Sequence, residues 1–291
     1  MFKPSATSKK FVNNANVGNF VEVGGSNIHY MIKGSGEPIL FIHGIGQSLY
    51  TWRNNFNELS ARYKVILLDL PGFGCSEYID MEYCPGEIAE FIKSFLDAIG
   101  IRRVHIAAFS EGGIYALAFA QKHPTTVDRM ILVSPGGLPE HGINTWSNML
   151  YGGTFTKLAL SMLSRKRVKK VLYESYFDKT CLTDEIVDQH ICFMNTKEQK
   201  ENLFFAIATM EPAEILANIR HMNTHVLILS GSDNPWRYKE EIDEFAAPFQ
   251  HSYVSFTRNC GHLLHEEKPE KFNSSVVEFL EWNLRMPGGE E

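Results

Sequence analysis

The chain has 291 residues, 44% of them hydrophobic, 12% aromatic and 21% charged, the balance of a globular protein large enough to bury a core without disulfide staples. Its 28 basic and 34 acidic residues leave a net charge of −6, which argues against a general nucleic-acid binder. The cysteines, Cys75, Cys84, Cys181, Cys192 and Cys260, are scattered and form no CxxC pair, so a zinc ribbon or dithiol redox site is not expected and free thiols in a reducing compartment are.

Residues 1–19 read as a loose polar leader without the apolar core of a secretory signal. No run approaches the roughly 18 apolar residues that would cross a bilayer, so no membrane span and a cytoplasmic location are expected. Apolar runs at 20–23 and 28–32 flank Gly24-Gly25 and predict a hairpin. Further runs at 38–42, 65–70, 104–109, 130–133, 226–229 and 253–256 predict strands. Continuous apolar runs suit buried parallel strands better than half-exposed ones.

Helical patterns lie between these runs. Ile88, Phe91, Ile92, Phe95 and Leu96 form one apolar face, and Gly100 marks its stop. Residues 114–121 are small and apolar, as a helix packed on a sheet requires, and Pro124 closes them. Val276, Val277, Phe279, Leu280 and Leu284 give a last helix. Strand alternating with helix predicts an α/β domain with a mostly parallel central sheet flanked by helices. The alternation breaks at 138–212, where helical patterns at 158–163, 168–176, 185–193 and 203–210 have no strand between them. The expected organisation is therefore a core in two parts, 20–137 and 213–291, interrupted by an inserted helical cap at 138–212.

The strongest chemical signal is Ala108-Phe109-Ser110-Glu111-Gly112-Gly113, directly after a predicted strand and before a predicted helix. A serine on such a turn is forced into a strained backbone conformation with its hydroxyl exposed. Small residues two before and two after allow strand and helix to approach closely, and Ala108 and Gly112 supply them. A serine needs a base to act as a nucleophile at neutral pH. His262, in Asn259-Cys260-Gly261-His262, follows the last strand and precedes the last helix, so its loop should hang at the same sheet edge as Ser110. His43 is read as shaping the first loop, and His265 as a partner at a helix start.

These features resemble the α/β-hydrolase fold family, in particular its members with a helical cap. The resemblance covers about residues 20–285. It rests on Phe41-Ile42-His43-Gly44-Ile45-Gly46, on Asp69-Leu70-Pro71-Gly72-Phe73-Gly74-Cys75-Ser76, on the turn at Ser110, and on Cys260-Gly261-His262. It implies an oxyanion hole made by the backbone N–H groups of Ile45 and Glu111, and a structural role for Asp69 in tying the Gly72–Ser76 loop. It implies no metal and no organic cofactor.

The acid of the expected triad departs from the family pattern. After the strand at 226–229 comes Ser230-Gly231-Ser232-Asp233-Asn234-Pro235, with Asn234 at the usual acid position and Asp233 one residue early. Asp233 is preferred as the acid, because a carboxylate stabilises the imidazolium and an amide does not. Two alternatives stand: Asn234 orienting a neutral His262, or an acid from elsewhere, although Val133-Ser134-Pro135-Gly136 after the sixth strand offers no carboxylate.

The cap segment carries Trp146, Met149, Leu150, Tyr151, Phe155, Leu158, Met162, Tyr173, Phe177, Phe193 and Met194, which would pack the cap helices or line a pocket for an apolar acyl group. The basic run Arg165-Lys166-Arg167-Val168-Lys169-Lys170 reads as a solvated helix face, or as a dock for a carrier-protein phosphate or a coenzyme A thioester. The expected activity is a serine hydrolase cleaving a carboxylic ester or thioester through an acyl-enzyme on Ser110. One alternative is C–C bond hydrolysis, acyl transfer or cyclisation, for which Pro135-Gly136-Gly137 is a loose pointer. The other is a ligand receptor or signalling protein with a weak triad.

Overall fold

The computed structural model describes residues 18–136, 164–192, 196–210 and 212–282. The strands are β1 (Asn19–Val23), β2 (Ser26–Lys33), β3 (Pro38–Ile42), β4 (Lys64–Leu68), β5 (Val104–Phe109), β6 (Val127–Val133), β7 (His225–Gly231) and β8 (Ser252–Thr257). They form one sheet in the order β1-β2-β4-β3-β5-β6-β7-β8. The β1–β2 and β2–β4 pairs are antiparallel and the rest are parallel. The helices are α1 (Phe56–Leu59), α2 (Pro85–Ala98), α3 (Gly112–Lys122), α4 (Arg165–Ser175), α5 (Asp184–Cys192), α6 (Lys197–Ala208), α7 (Ala213–Asn218), α8 (Lys239–Ala246), α9 (Leu264–Glu267) and α10 (Pro269–Leu280).

The central strands are as apolar as their position demands. All six residues of β5 are buried, and β3, β4 and β6 are buried over their last four. α2 starts on Pro85, whose missing N–H costs nothing at the first helical position, and turns Ile88, Phe91, Ile92, Phe95 and Leu96 inward. α3 is buried from Gly112 to Ala120, which explains its small residues. β8 departs from expectation: it is the edge strand, and its residues are only partly covered. The expected strand at 65–70 ends at Leu68, and the chain then turns through Asp69.

Register carries the strand ends to one edge. Ile42 pairs with Leu68 and Ala108, Phe109 with Val133, and Val133 with Leu229. The loops after β3, β5, β7 and β8, which hold His43, Ser110, Asn234 and His262, therefore meet at the carboxyl ends of parallel strands.

Four helices, α4, α5, α6 and α7, follow one another between β6 and β7 with no strand between them among the described residues. The expected helix at 158–163 lies outside the described residues, as do Leu284 and the proposed lining residues Trp146, Met149, Leu150, Tyr151, Phe155, Leu158, Met162, Phe193 and Met194. Tyr173 and Phe177 are exposed. The basic run is largely committed within this layer: Arg165 pairs with Asp184 and Asp188, Lys169 with Asp184, and Lys170 lies 3.7 Å from Glu174.

The end of α4 is fastened to the core by two carboxylates of α9. Glu266, fully enclosed, accepts from Arg53 (2.7 Å), Thr51 Oγ1 (2.6 Å) and Tyr176. Glu267 accepts from the backbone N–H groups of Phe177, Asp178 and Gly261 at 3.0–3.1 Å. Burial alone would raise the Glu266 carboxyl, but the Arg53 guanidinium, with help from His190 and His265, holds it down to about 2. Its contribution to stability is complete above the unfolded-chain value of about 4.3 and is lost as pH falls towards 2. Glu266→Ala leaves the Arg53 charge buried and unpaired, so urea unfolding at pH 7 should show a loss of about 3–5 kcal/mol. That deficit should shrink below pH ~4.3, and an unchanged midpoint at pH 7 would remove the pair from the account of stability.

Candidate active site

Ser110 sits between β5 and α3 at φ 52°, the left-handed region that L-residues adopt only under constraint. Three backbone hydrogen bonds hold it there: Ser110 N–H donates to Val133 O (2.9 Å), and Ser110 O accepts from Gly113 N–H (2.9 Å) and Gly136 N–H (3.0 Å). The turn is crowded. A Cβ on Gly112 would stand 2.4 Å from His43 O, and one on Gly44 would stand 3.2 Å from the Ser110 Cβ.

His262 Nε2 lies 3.3 Å from Ser110 Oγ, and its Nδ1 lies 3.2 Å from Asn234 Oδ1. Asn234 is oriented by its own bonds: Oδ1 accepts from Trp236 N–H (3.0 Å) and Nδ2 faces Ser230 Oγ (3.4 Å). An oxygen facing Nδ1 requires the proton to be on Nδ1, which leaves Nε2 bare towards Ser110. The preferred acid is not in this chain of contacts. Asp233 is exposed, and its carboxylate accepts from the Ser232 hydroxyl (2.6 Å). The structure thus brings Ser110, His262 and Asn234 together and leaves Asp233 outside, a correction to the sequence expectation. The reason lies between two loops: Asp233 N–H donates to Cys260 O (3.0 Å), and the next residue, Asn234, faces the histidine.

Burial, with the Arg237 guanidinium and His265 nearby, pushes His262 down to about 3. Arg237 spends its Nε on Pro135 O (3.2 Å) and one Nη on Trp236 O (2.7 Å), and has no carboxylate partner among the described residues. The His262 backbone is anchored as well: its N–H donates to Ser175 O (2.7 Å) and its carbonyl accepts from Ser134 Oγ (3.0 Å). The Phe109 ring packs on both His262 and His265, with centroids 4.9 and 4.6 Å apart.

The N–H groups of Ile45 and Glu111 donate to no protein acceptor among the described residues. Unpaired N–H groups beside a buried nucleophile are what an oxyanion needs. The Glu111 side chain was not anticipated in any role: its Oε2 accepts the Ser110 hydroxyl at 2.6 Å, closer than His262 Nε2. Only its position next to the serine could have signalled this. Arg237, Ser134, Ser175 and Trp236 were likewise missed, because their contacts cross between loops far apart in sequence.

The other titratable groups have structural partners. His43 donates from Nδ1 to Gly44 O (2.8 Å) and accepts Leu70 N–H at Nε2 (3.1 Å), as expected for a loop-shaping residue. His265 faces Thr51 Oγ1 at 2.7 Å, and burial pushes it down to about 3. Asp69 accepts from Leu49 N–H (2.7 Å) and Cys75 N–H (2.9 Å) and lies 2.7 Å from His29 Nδ1. His29, Asp69 and Cys75 lie close enough to suggest a metal-ligand set. The carboxylate is already occupied by these donors, however, and burial raises the Cys75 thiol, so the group is better described as a brace. All the cysteines are free thiols, and burial raises Cys260 to about 12.

A family model described as the alpha/beta hydrolase fold matches residues 37–269. The chain belongs to the α/β-hydrolase fold family. Among curated proteins, this hydrolase-fold chain is 27% identical to a 2-hydroxy-6-oxo-6-phenylhexa-2,4-dienoate hydrolase of Comamonas testosteroni, over 87% of this chain and 91% of that one. It is 28% identical to the protein of the same name from Burkholderia cepacia, over 94% and 97%. A meta-cleavage product hydrolase from Pseudomonas fluorescens superposes with a TM-score of 0.78 at 24% identity, covering 91% and 98%. A putative lipase from Acinetobacter baumannii gives 0.82 at 21%, covering 96% and 97%, which speaks for the fold alone. No helix among the described residues of this α/β-hydrolase is long and apolar enough to cross a membrane.

The site makes a direct prediction. In the folded protein the His262 imidazole should remain neutral from pH 7 down to about 4, because its proton affinity is held near 3. Asn234→Asp places a carboxylate against Nδ1 and should move that titration upward by about 1–3 units. NMR of ring-labelled histidine, read against His262→Ala for assignment, measures both. A wild-type His262 that titrates at its ordinary value near 6.5 would contradict this picture of the site.

Proposed function

We propose that this protein hydrolyses a carbon–carbon bond next to a ketone in a small conjugated oxo acid, through Ser110 as nucleophile. The observation that carries the reading is the near end-to-end likeness to 2-hydroxy-6-oxo-dienoate hydrolases, joined to a serine whose neighbours supply bare acceptors and free N–H donors. It supersedes simple ester or thioester cleavage, the first expectation from the sequence, and takes up the C–C alternative. Dependence on a carrier protein or coenzyme A loses its support, since much of the basic run is already ion-paired within the cap helices.

The chemistry sets the requirements. Ser110 attacks the ketone carbon, and its oxygen becomes an alkoxide on the Ile45 and Glu111 N–H groups. A ketone has no heteroatom to expel. Collapse therefore releases the carbon fragment, whose electron pair spreads into the conjugated oxo acid before it takes up a proton. Water then frees the acyl group as a carboxylic acid and restores Ser110. Only water is consumed. The Arg237 guanidinium, near His262 and without an acidic partner among the described residues, makes this end of the site hospitable to an anionic substrate.

The test compares two substrates. Loss of the absorbance of 2-hydroxy-6-oxo-6-phenylhexa-2,4-dienoate reports C–C cleavage, and p-nitrophenyl butyrate reports ester cleavage. The expected result is sustained turnover of the dienoate with a kcat/KM at least about a hundredfold above the ester, a difference of about 2.7 kcal/mol in barrier, and loss of turnover in Ser110→Ala. Faster turnover of the ester would return the protein to the esterases. Tight binding of the dienoate without turnover would favour the receptor reading.

A further inference from the structure

Ser110 must lose a proton to become a nucleophile, and two acceptors stand within reach of its hydroxyl. His262 Nε2 is the one expected from the sequence, but it is 3.3 Å away. Three features work against protonating it. The ring is partly buried, Arg237 sets a positive charge beside it, and the group on Nδ1 is the neutral amide of Asn234. An imidazolium there would be a second enclosed cation with no carboxylate to offset it.

Glu111 Oε2 is the other acceptor, and the hydroxyl already donates to it at 2.6 Å. An O–H···O⁻ bond of that length belongs to the strong, charge-assisted class. The Glu111 backbone is tied into the turn, since its carbonyl accepts from Ile114 N–H (2.9 Å) and the preceding Ser110 carbonyl accepts from Gly136 N–H (3.0 Å). Charge movement also favours this route. While ionised, Glu111 repels the alkoxide that must form on its own N–H group. Once protonated, it no longer does, so one negative charge passes from the carboxylate to the oxyanion and the net charge of the site is unchanged.

From this geometry we infer that Glu111 is a catalytic residue that accepts the Ser110 proton during attack and, ionised again once the carbon fragment has left, takes the proton of the water that frees the acyl group. The inference rests on Ser110 being the nucleophile, as proposed above. In this step the Ser110 O–H bond breaks as the Oγ–carbon bond forms, and an O–H bond forms on Glu111. The same proton then passes to the departing carbon fragment, which leaves the acyl-enzyme and an ionised Glu111. No oxidant, reductant or added co-reactant enters.

The experiment is the rate of fluorophosphonate labelling, followed by intact mass from pH 4 to 9, on variants confirmed folded by circular dichroism. Wild type should gain one label that Ser110→Ala lacks, and absence of that label would overturn the nucleophile reading and this inference with it. Given labelling, Glu111→Gln, which keeps the shape and the hydrogen bond but not the basicity, should be slower by about a hundredfold or more. It should also lose the acid limb of the wild-type pH profile, which a purely structural role would leave in place. Adding Asn234→Asp to Glu111→Gln should restore much of the rate by giving His262 the carboxylate it lacks. If Glu111→Gln does not fold, Glu111→Asp should label more slowly while keeping the acid limb. A Glu111→Gln protein that labels as fast as wild type, or faster, overturns the inference, because the carboxylate would then merely hold the hydroxyl aside.

Discussion

The left-handed backbone at Ser110 is the constraint around which the rest of the site is arranged. A conformation that costs of order 1–3 kcal/mol persists only when its surroundings leave no alternative. Here the surroundings are the sheet itself. Val133 O at the end of β6 holds the serine N–H, and Gly136 holds its carbonyl. The first loop passes so close that Gly112 has no room for a side chain and one on Gly44 would press on Phe109 and Ser110. The adjacent turn repeats the device, since Ser134 has φ 44° and uses its hydroxyl on the His262 carbonyl. Strain at two neighbouring strand ends thus aims one side chain at the site and fixes the loop that carries another.

The charges around Ser110 are not in the order expected from the sequence. Where a carboxylate would be expected behind His262 there is an amide, and the cation Arg237 lies nearby. The carboxylate in contact with the serine hydroxyl belongs instead to Glu111, the next residue in the chain. Electrostatic stabilisation depends on where charge develops. A carboxylate in contact with the hydroxyl is better placed to take a proton there than an imidazole that resists protonation.

The cap helices and the histidine loop are physically one assembly. The α4 terminus touches it through Ser175 O on the His262 N–H, and Ser175 Oγ accepts from the Trp236 indole. Glu267 gathers N–H groups from Phe177, Asp178 and Gly261. A Cβ on Gly261 would stand 2.3 Å from Ser175 O, so the close approach depends on glycine. The end of α4 and His262 are therefore joined by packed backbone rather than by a flexible linker.

Periodicity and local turn chemistry were enough to read the strands, the principal helices and the turn at Ser110, because each is encoded by neighbours in sequence. Alternation of strand and helix was enough for a mostly parallel sheet, and the order of loops for His262 beside Ser110. The edge position of β8 was not legible, since an apolar run is equally compatible with a central strand. Nor was the orienting residue. Asp233 and Asn234 are adjacent, both suit a turn, and a one-residue difference decides which faces the ring. That difference is settled by the Asp233 N–H bond to Cys260 O, a contact between two loops that no local pattern contains. The Glu111 carboxylate, the Arg237 charge and the clasp between α4 and the histidine loop belong to the same class. Sequence determined which side chains were available at the sheet edge, and tertiary packing decided which of them touch, because those distances depend on how separate loops crowd together rather than on any one of them.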